Sequence, residues 1–254
     1  MQVLAESSVV AKSPERAWLR PLLVWAYVGP SIMVAVTAGF LLAPFLGRRR
    51  AFWLLAPGWI RQVAAAFGIR RHLDGWEALP TEIRDGKQPA IFVANHTSLF
   101  DPPLIISTLP SRPVFIAKQE LAFVPFLGWV IWLAGFIFID RRRSARAIAS
   151  LERAAQRIRN GQSIAAFPEG TRTRAGGMLP FKKGVFRLAW EAGVPVVPVG
   201  IHGGRWILPR DSWRVSPGEY LIRIGPPLLP QQFADHEELR IASEEAVQKL
   251  LANG

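Results

Sequence analysis

The spacing of apolar and polar residues divides the chain into two regions. In the first, from Pro21 to Gly47, no charged residue occurs over 27 positions. In the second, from about Asp74 onward, short apolar runs alternate with segments whose apolar residues recur every three or four positions. Short runs are typical of buried strands, and the longer period is typical of helices. The pattern therefore predicts a membrane-associated helical segment followed by a domain of alternating strands and helices.

The second region predicts six strands and four helices. The strands are Ala90–Ala94, Val114–Ala117, Phe136–Ile139, Ser163–Phe167, Val196–Gly200 and Tyr220–Ile224, and the helices are near Pro102–Leu109, Ser144–Arg159, Lys182–Ala192 and Pro230–Leu251. In the clearest helix, Ser144 can cap the start and Asn160-Gly161 supplies the stop. This alternation predicts an α/β fold with a mostly parallel sheet flanked by helices.

The uncharged segment is long enough to cross a membrane, since roughly 20 apolar residues span the hydrocarbon core. Pro30 and Pro44 each remove a backbone donor, so the segment either crosses straight, kinks or re-enters the bilayer. A cleaved signal peptide is the alternative. The apolar stretch is much longer than the roughly 7–15 residues of a signal core, and this argues against a signal peptide.

The residues that follow the uncharged segment are basic and amphipathic. By the positive-inside rule, Arg48–Arg50 places the chain after residue 47 in the cytoplasm, at the cell (inner) membrane. Apolar residues between Trp53 and Phe67 predict a helix on the membrane surface, broken near Pro57 and Gly58. A core helix is the alternative. The predicted division is an arm at 1–20, an anchoring segment at 21–71 and an α/β domain at 72–254.

The charge and tryptophan content of the chain indicate which kinds of molecule it could bind. The chain has 31 Lys and Arg against 19 Asp and Glu, a net charge of +12, which suits nucleic acid, anionic lipid headgroups or phosphorylated metabolites. Ten tryptophans favour a lipid surface, where indole rings are enriched. Nucleic acid would explain the charge but not the uncharged segment. The absence of cysteine excludes disulfides, thiolate metal sites and a cysteine nucleophile.

A histidine and an aspartate follow the first predicted strand of the domain, in the stretch NHTSLFD. Positions five apart differ by about 140° around a helix, so His96 and Asp101 would not share a helix face. A strand ending near Ala94, a turn and a helix starting at Pro102 would bring them together. Pro102 suits the first helical position, which predicts Asp101 as the N-cap. A catalytic pair and a simple helix cap both fit this spacing.

Two further polar clusters also follow predicted strands. In SIAAFPEGTRTR, residues 163–174, four polar residues lie beside Gly170: Glu169, Thr171, Arg172 and Arg174. In GFIFIDRRR, residues 135–143, an acid and three arginines end the run. The arginine fork matches phosphate, and glycine allows backbone N–H groups to approach an anion. A solvated basic turn is the alternative. Substrate sites of open α/β sheets lie at the carboxyl ends of strands, so the three clusters together predict one site.

The sequence resembles the glycerolipid acyltransferases of the lysophosphatidic acid acyltransferase type. The resemblance covers roughly residues 75–225 and depends on four motifs in order: NHTSLFD, GFIFIDR at 135–141, FPEGTR at 167–172 and VPVVPVG at 194–200. It implies transfer of a fatty acyl group from a thioester to the sn-2 hydroxyl of 1-acylglycerol 3-phosphate, giving phosphatidic acid at an anionic membrane surface. The donor would be acyl-CoA or acyl-carrier protein, and no cofactor is expected.

The resemblance also implies roles for residues. His96 would be the general base and Asp101 would orient it; a rival route would use Ser98 as nucleophile. Arg172 would bind the acceptor phosphate in a loop shaped by Glu169, Gly170 and Thr171, with Arg141 and Lys118 as further candidates. No metal site is expected, since His72 and His236 are isolated and His202 is interpreted as structural.

Two alternatives remain for the function itself. One is the same chemistry on glycerol 3-phosphate, another lysophospholipid or a lyso-ornithine lipid. The other is a non-catalytic membrane protein that binds anionic lipid, for which basic charge and tryptophan suffice.

Overall fold

The computed structural model describes residues 19–139, 144–172 and 177–252, with the side chains of residues 19–21 and 144–149 left out. The helices are α1 Leu19–Leu46, α2 Arg48–Phe67, α3 Thr81–Arg84, α4 Asp101–Thr108, α5 Leu127–Ala134, α6 Ser144–Arg159, α7 Gly184–Ala192, α8 Gly204–Ile207 and α9 His236–Ala252. The strands are β1 Ile69–Asp74, β2 Ile91–Ala94, β3 Val114–Lys118, β4 Ile137–Ile139, β5 Ile164–Ala166, β6 Val196–His202 and β7 Gly218–Ile224. Short 3₁₀ helices occupy Trp76–Ala78, Gln119–Phe123 and Pro230–Gln232.

These strands form one sheet in the order β1-β7-β6-β2-β5-β3-β4. The five strands from β6 to β4 are parallel, while β7 is antiparallel to β6 and parallel to β1. The predicted α/β fold with a mostly parallel sheet is confirmed. The carboxyl ends of β2, β3, β4 and β5 consequently lie at one edge of the sheet, which brings the predicted polar clusters to the same side of the domain.

Helices cover both faces of the sheet. Successive side chains of a strand point to opposite faces, so Phe92 and Ala94 of β2 join one buried cluster while Ile91 and Val93 join the other. The first cluster also contains apolar residues of α1, α2 and α4, and the second contains those of α6, α7 and α9. The result is three layers with the sheet in the middle.

Helix α1 continues through both prolines over 28 residues. By length and composition, the part from Leu22 to Leu46 could cross a membrane, and 17% of its most apolar window is buried inside the protein. Its buried face, with Val24, Val28 and Val36, belongs to the core cluster that also contains residues of α2. The remaining faces of α1 carry exposed apolar side chains.

The predicted break in the second helix is wrong. Helix α2 is continuous through Pro57, because Phe52 and Trp53 before the proline and Ile60 after it are all buried in the core. Packing on both sides offsets the hydrogen bond that proline cannot donate. The same burial corrects the surface-lying prediction, since this apolar face packs within the protein rather than against a membrane.

Strand β1 was not predicted from the sequence. Residues 69–71, assigned to the anchoring helical segment, begin this strand at the edge of the sheet. The strand contains Arg70, Arg71 and His72 in succession, so it lacks the apolar run that is typical of an interior strand. The last predicted helix also begins later than expected, because Pro230–Gln232 forms a separate 3₁₀ turn before α9.

Candidate active site

The candidate site begins where β2 ends. Asn95, the first residue after the strand, is buried and ties this point to the neighbouring strand β6: its amide nitrogen donates to the Ile201 carbonyl at 3.0 Å, and its amide oxygen accepts from the Ile201 N–H at 2.7 Å. The chain therefore leaves the sheet at a fixed position, and His96 is the next residue.

His96 and Asp101 are hydrogen-bonded, with 2.9 Å between His96 Nδ1 and Asp101 Oδ2. The Asp101 side chain is fully buried, and the imidazole is 17% exposed. Oδ2 also accepts from the backbone N–H groups of Thr97 and Ser98, each at 2.7 Å. A buried carboxylate is thus surrounded by donors, and it fixes both the loop and the ring. No described residue hydrogen-bonds to His96 Nε2.

The expectation that Asp101 caps α4 is wrong. Its carboxylate bonds to the loop before the helix and not to the helix itself. The physical reason is that Pro102 and Pro103 have no N–H to offer, while the Leu104 N–H already bonds to the Phe100 carbonyl at 2.9 Å. The prolines leave the carboxylate available for the histidine.

Two distant residues complete the surroundings of Asp101, and neither was identified from the sequence. The Tyr220 hydroxyl on β7 donates to Asp101 Oδ1 at 3.1 Å across 119 residues of chain. Burial, reinforced by the Asp101 charge, raises the Tyr220 pKa well above its usual value, so the phenol keeps its proton as a donor. Gly204 at the start of α8 packs against the same loop, leaving no room for a side chain.

Two residues of the third motif, FPEGTR at 167–172, contact His96 and hold it in place. The Phe167 ring stacks on the imidazole with 4.2 Å between ring centroids. Glu169 is buried, with Oε1 accepting from the His96 N–H at 2.7 Å and Oε2 accepting from the Leu179 N–H at 2.9 Å. Burial raises the pKa of Glu169, and the two N–H bonds partly oppose that rise. In this geometry Glu169 holds the backbone of His96 and the loop after residue 169.

Those predicted phosphate residues that the structure describes lie around the same edge of the sheet. Gly170 has a φ of 75° and closes a turn with its N–H on the Phe167 carbonyl, a conformation that favours glycine. Thr171 is exposed and Arg172 is partly buried. Lys118 ends β3 and pairs with Glu120 at 3.3 Å. Arg141 lies outside the described residues, as does Arg174.

A second arginine near Arg172 was not identified from the sequence. Arg210 Nη1 donates to the Arg172 carbonyl at 2.5 Å. Burial, followed by the charge of Arg210, lowers the pKa of Arg172, while the charges of Asp211 and Asp101 raise it. Arg172 therefore lies within electrostatic range of Arg210 and of Asp101. The sequence after the fourth motif carries only single, separated arginines, Arg205, Arg210 and Arg214, and nothing in their spacing marks Arg210.

Ser98 is fully buried and engaged on both sides. Its hydroxyl donates to the Leu208 carbonyl at 3.0 Å and accepts from the Phe100 N–H at 3.2 Å. This geometry argues against Ser98 as a nucleophile. His202 bonds to the Leu250 carbonyl through Nε2 at 3.1 Å, a structural contact. In the described ranges, no three His, Asp or Glu side chains are grouped to hold a metal ion.

Replacing Gly204 with alanine is expected to lower turnover at least tenfold. The added Cβ would lie 2.5 Å from Thr97 Oγ1 and 2.7 Å from Asp101 Oδ1, so the loop must shift. Overpacking of this kind costs about 1–3 kcal/mol, and displacing a catalytic group by about 1 Å costs up to about 10²-fold in rate. Steady-state kinetics and thermal unfolding would measure both effects.

Gly58→Ala is the matched control, because an added Cβ there meets only Arg61 Nη2 at 4.0 Å. It should unfold at or slightly above the wild-type temperature and keep its activity. A Gly204→Ala protein with wild-type turnover would show that the loop carrying His96 tolerates displacement.

The fold and the site together define a class of protein: a mostly parallel α/β domain in which a partly exposed histidine bonds to a buried aspartate at the carboxyl edge of the sheet. The family described as Acyltransferase matches residues 46–202. The chain belongs to this acyltransferase family, which confirms the resemblance seen in the four motifs.

Individual relatives agree with the family. The chain is 38% identical over 163 residues to human 1-acyl-sn-glycerol-3-phosphate acyltransferase alpha, covering 64% of this chain and 56% of the relative. It is 39% identical over 140 residues to the 1-acyl-sn-glycerol-3-phosphate acyltransferase of Haemophilus influenzae, covering 54% and 58%. The matched parts are thus little more than half the length of these relatives.

A solved structure extends the similarity to almost the whole chain. The crystal structure of the 1-acyl-sn-glycerophosphate (LPA) acyltransferase of Thermotoga maritima superposes with a TM-score of 0.77 at 30% sequence identity. The match covers 92% of this chain and 94% of that protein, so the similarity includes the N-terminal helices as well as the α/β domain.

Proposed function

We propose that this protein transfers a fatty acyl group from an acyl thioester to the sn-2 hydroxyl of 1-acylglycerol 3-phosphate, giving phosphatidic acid. The observation that carries the proposal is the hydrogen bond between His96 Nδ1 and the buried Asp101 carboxylate, within electrostatic range of Arg172. The names of the relatives support the choice of acceptor.

In the proposed mechanism, His96 acts as a general base. Asp101 accepts the Nδ1–H, so the tautomer leaves a lone pair on Nε2. Nε2 takes the proton of the acceptor hydroxyl as the hydroxyl oxygen attacks the thioester carbonyl. The tetrahedral intermediate collapses, the carbon–sulfur bond breaks, and the leaving thiolate takes the proton back from the imidazolium. Asp101 stabilises the imidazolium while it exists, and Glu169 and Phe167 keep the ring in place.

The acceptor phosphate would bind at Arg172. Arg210 extends the site as a second guanidinium, and the turn at Gly170 and Thr171 gives the anion access to the backbone. Two guanidinium groups offer planar donor pairs that match phosphate oxygens. Glu169 shapes this loop from the buried side, and Lys118 and Arg141 remain further candidates.

Arg172→Lys is expected to raise the KM for the phosphorylated acceptor about tenfold with a smaller effect on kcat. Lysine keeps the charge but loses the fork, and hydrogen bonds to charged groups contribute about 1.5–3 kcal/mol each. The measurement is steady-state kinetics against acceptor concentration. Arg210→Lys should shift KM in the same direction.

Arg187→Lys is the control, since Arg187 lies on α7 and pairs there with Glu191 at 2.6 Å. Its KM should equal that of the wild type. If Arg172→Lys leaves the KM for the acceptor unchanged, Arg172 does not bind the phosphate.

Helix α1 would hold the enzyme at the cytoplasmic face of the cell (inner) membrane. Helix α1 contacts the domain at both ends: Trp25 Nε1 donates to the Trp213 carbonyl at 3.1 Å, and Phe40 stacks on Trp132. Because α1 is held along the domain at both ends, these contacts favour a helix embedded in one leaflet of the bilayer over a helix that crosses the bilayer. Arginines supply attraction of about 1 kcal/mol each to an anionic leaflet.

One experiment tests the proposed reaction. The purified protein would be incubated with acyl-CoA or acyl-carrier protein as donor and with 1-acylglycerol 3-phosphate, glycerol 3-phosphate, another lysophospholipid or a lyso-ornithine lipid as acceptor. Mass spectrometry of the products should show phosphatidic acid from 1-acylglycerol 3-phosphate as the main product. Transfer to another acceptor alone would replace the proposed substrate, and liposome binding without any thioester turnover would favour a non-catalytic lipid-binding protein.

A further inference from the structure

A second apolar surface lies outside α1, on the segment that follows β3. Between residues 123 and 132, the exposed large apolar side chains are Phe123, Val124, Phe126, Leu127, Trp129 and Trp132. Phe123 is 80% exposed, close to the 84% of Phe45 on α1. Contiguous apolar surface of this kind is rare on soluble domains and marks a binding surface.

The aromatic residues of this surface form a continuous stripe. Phe126 and Trp129 are in edge contact with 5.2 Å between centroids, and Trp132 is one further helical turn along α5. Residues three apart share a helix face. Trp132 then stacks on Phe40 of α1 at 5.8 Å. We call these four residues, Phe126, Trp129, Trp132 and Phe40, the aromatic stripe; it joins the surface of α5 to the exposed apolar face of α1.

The turn that leads into the stripe is rigidly built. A Cβ on Gly128 would lie 2.2 Å from the Ala122 carbonyl oxygen, so the 3₁₀ turn and α5 are packed backbone to backbone. Phe126 has a φ of 62°, a conformation that is unfavourable for a large side chain. Glycine would relieve this strain. A partly exposed phenylalanine occupies this position at a conformational cost, which points to a role for its ring outside the fold.

Positive charge lies directly beside the stripe. The Arg48 guanidinium lies 4.8 Å from the centre of the Trp132 ring and donates to the Trp132 carbonyl at 3.0 Å. Arg49 and Arg50 follow at the start of α2. Indole rings with arginines at their border are typical of the boundary between acyl chains and headgroups. A protein partner would not require this continuity with the apolar face of α1.

We propose that the aromatic stripe, with Phe123 at its tip, is a second membrane contact that inserts into the headgroup region of an anionic leaflet. The inference rests on the membrane association proposed above and adds a contact from the catalytic domain itself. Residues 119–126 follow the carboxyl end of β3, the sheet edge that also carries His96. Docking through the stripe therefore turns the site towards the bilayer that holds the acceptor.

The absence of native cysteine makes the test direct. Single-cysteine variants Phe123→Cys, Trp129→Cys, Phe45→Cys and Ile241→Cys of the full chain would each carry an environment-sensitive fluorophore. Each would be reconstituted in vesicles of phosphatidylcholine with and without phosphatidylglycerol, and quenched with spin-labelled lipids. Ile241 is the matched control, because it is 43% exposed on α9, which packs on the opposite face of the sheet.

The labels at 123 and 129 are expected to shift their emission to the blue and to be quenched by lipid, more strongly with phosphatidylglycerol, while the label at 241 stays unquenched. Quenching at 45 without quenching at 123 and 129 would overturn the second contact and leave the α1 anchor intact. No quenching at any position would overturn both. A blue shift that depends on protein concentration and not on lipid would identify self-association and overturn the inference.

A double variant that introduces negative charge gives an independent measurement. The double variant Phe123→Glu with Trp129→Glu is expected to weaken partitioning into vesicles at least about tenfold. Each aromatic side chain that enters the membrane contributes substantially to the free energy of insertion. Ile241→Glu should leave partitioning unchanged. Phe123 is 80% exposed and Trp129 is 48% exposed, so the double variant should stay folded with only a small loss of thermal stability. Partitioning equal to that of the wild type would contradict the proposal.

Discussion

Replacing His96 with alanine is expected to lower kcat/KM by roughly 10²–10⁴-fold, the usual contribution of a positioned general base. The fold should persist, because Asp101 keeps its bonds to the Thr97 and Ser98 N–H groups and to Tyr220. In the proposed mechanism, the imidazole is the group that removes the proton of the acceptor hydroxyl. Initial rates with saturating thioester, together with circular dichroism melting, measure activity and fold separately.

His202→Ala is the matched control for the loss of an imidazole. Its ring bonds to the Leu250 carbonyl, so the variant loses one hydrogen bond of about 1 kcal/mol and should keep its activity. Removal of a general base typically lowers the rate by about 10²–10⁴-fold. A His96→Ala protein that keeps more than about a third of the wild-type rate would therefore remove His96 from the mechanism.

Asp101→Asn is expected to lower kcat about 10²-fold or more with little loss of structure. The amide oxygen can replace Oδ2 as acceptor for His96 Nδ1 and the two backbone N–H groups, and the amide nitrogen can donate to the Tyr220 oxygen. In the proposed mechanism, what disappears is the negative charge that stabilises the imidazolium. The measurement is kcat at saturating donor and acceptor, with urea unfolding as the structural readout.

Tyr220→Phe separates the effect of the Asp101 charge from the effect of the hydrogen bonds around Asp101. This variant loses the hydroxyl donor to Oδ1 and leaves the carboxylate in place, so stability should fall by about 1 kcal/mol and kcat less than in Asp101→Asn. If the two variants lose activity equally, the hydrogen-bond network and not the charge governs turnover. Wild-type activity in Asp101→Asn would contradict the proposed orientation of His96 by a carboxylate.

The pattern of apolar residues along the sequence was sufficient to predict the strands of the parallel part of the sheet. Apolar runs such as residues 90–94 and 196–200 are buried on both faces, so their composition alone marks them as interior strands. An edge strand has no such requirement. Strand β1 pairs on one side only and carries three successive basic residues, of which Arg70 pairs with Glu219 of β7. Its pairing with β7 therefore left no signal in its own apolar pattern.

The predicted helix cap shows where local rules fail. Asp101 before Pro102 fits the usual start of a helix, and the helix does begin there. The rule does not include the effect of a second proline, which leaves the first turn without donors for the carboxylate. The charge is then satisfied by the loop that carries His96. The feature that disagreed with the local expectation is the one that the proposed mechanism uses.

The sequence by itself predicted that His96 and Asp101 come together and that the chain turns at Gly170, because both features depend only on nearby chain. It also determined the uncharged first helix, whose length and composition are local properties. Only the tertiary structure decided what surrounds Asp101 and Arg172. Tyr220, Gly204 and Arg210 reach them from far along the chain because β6 lies next to β2 and β7 lies beyond it, and the order of strands in a sheet is not encoded in any short stretch.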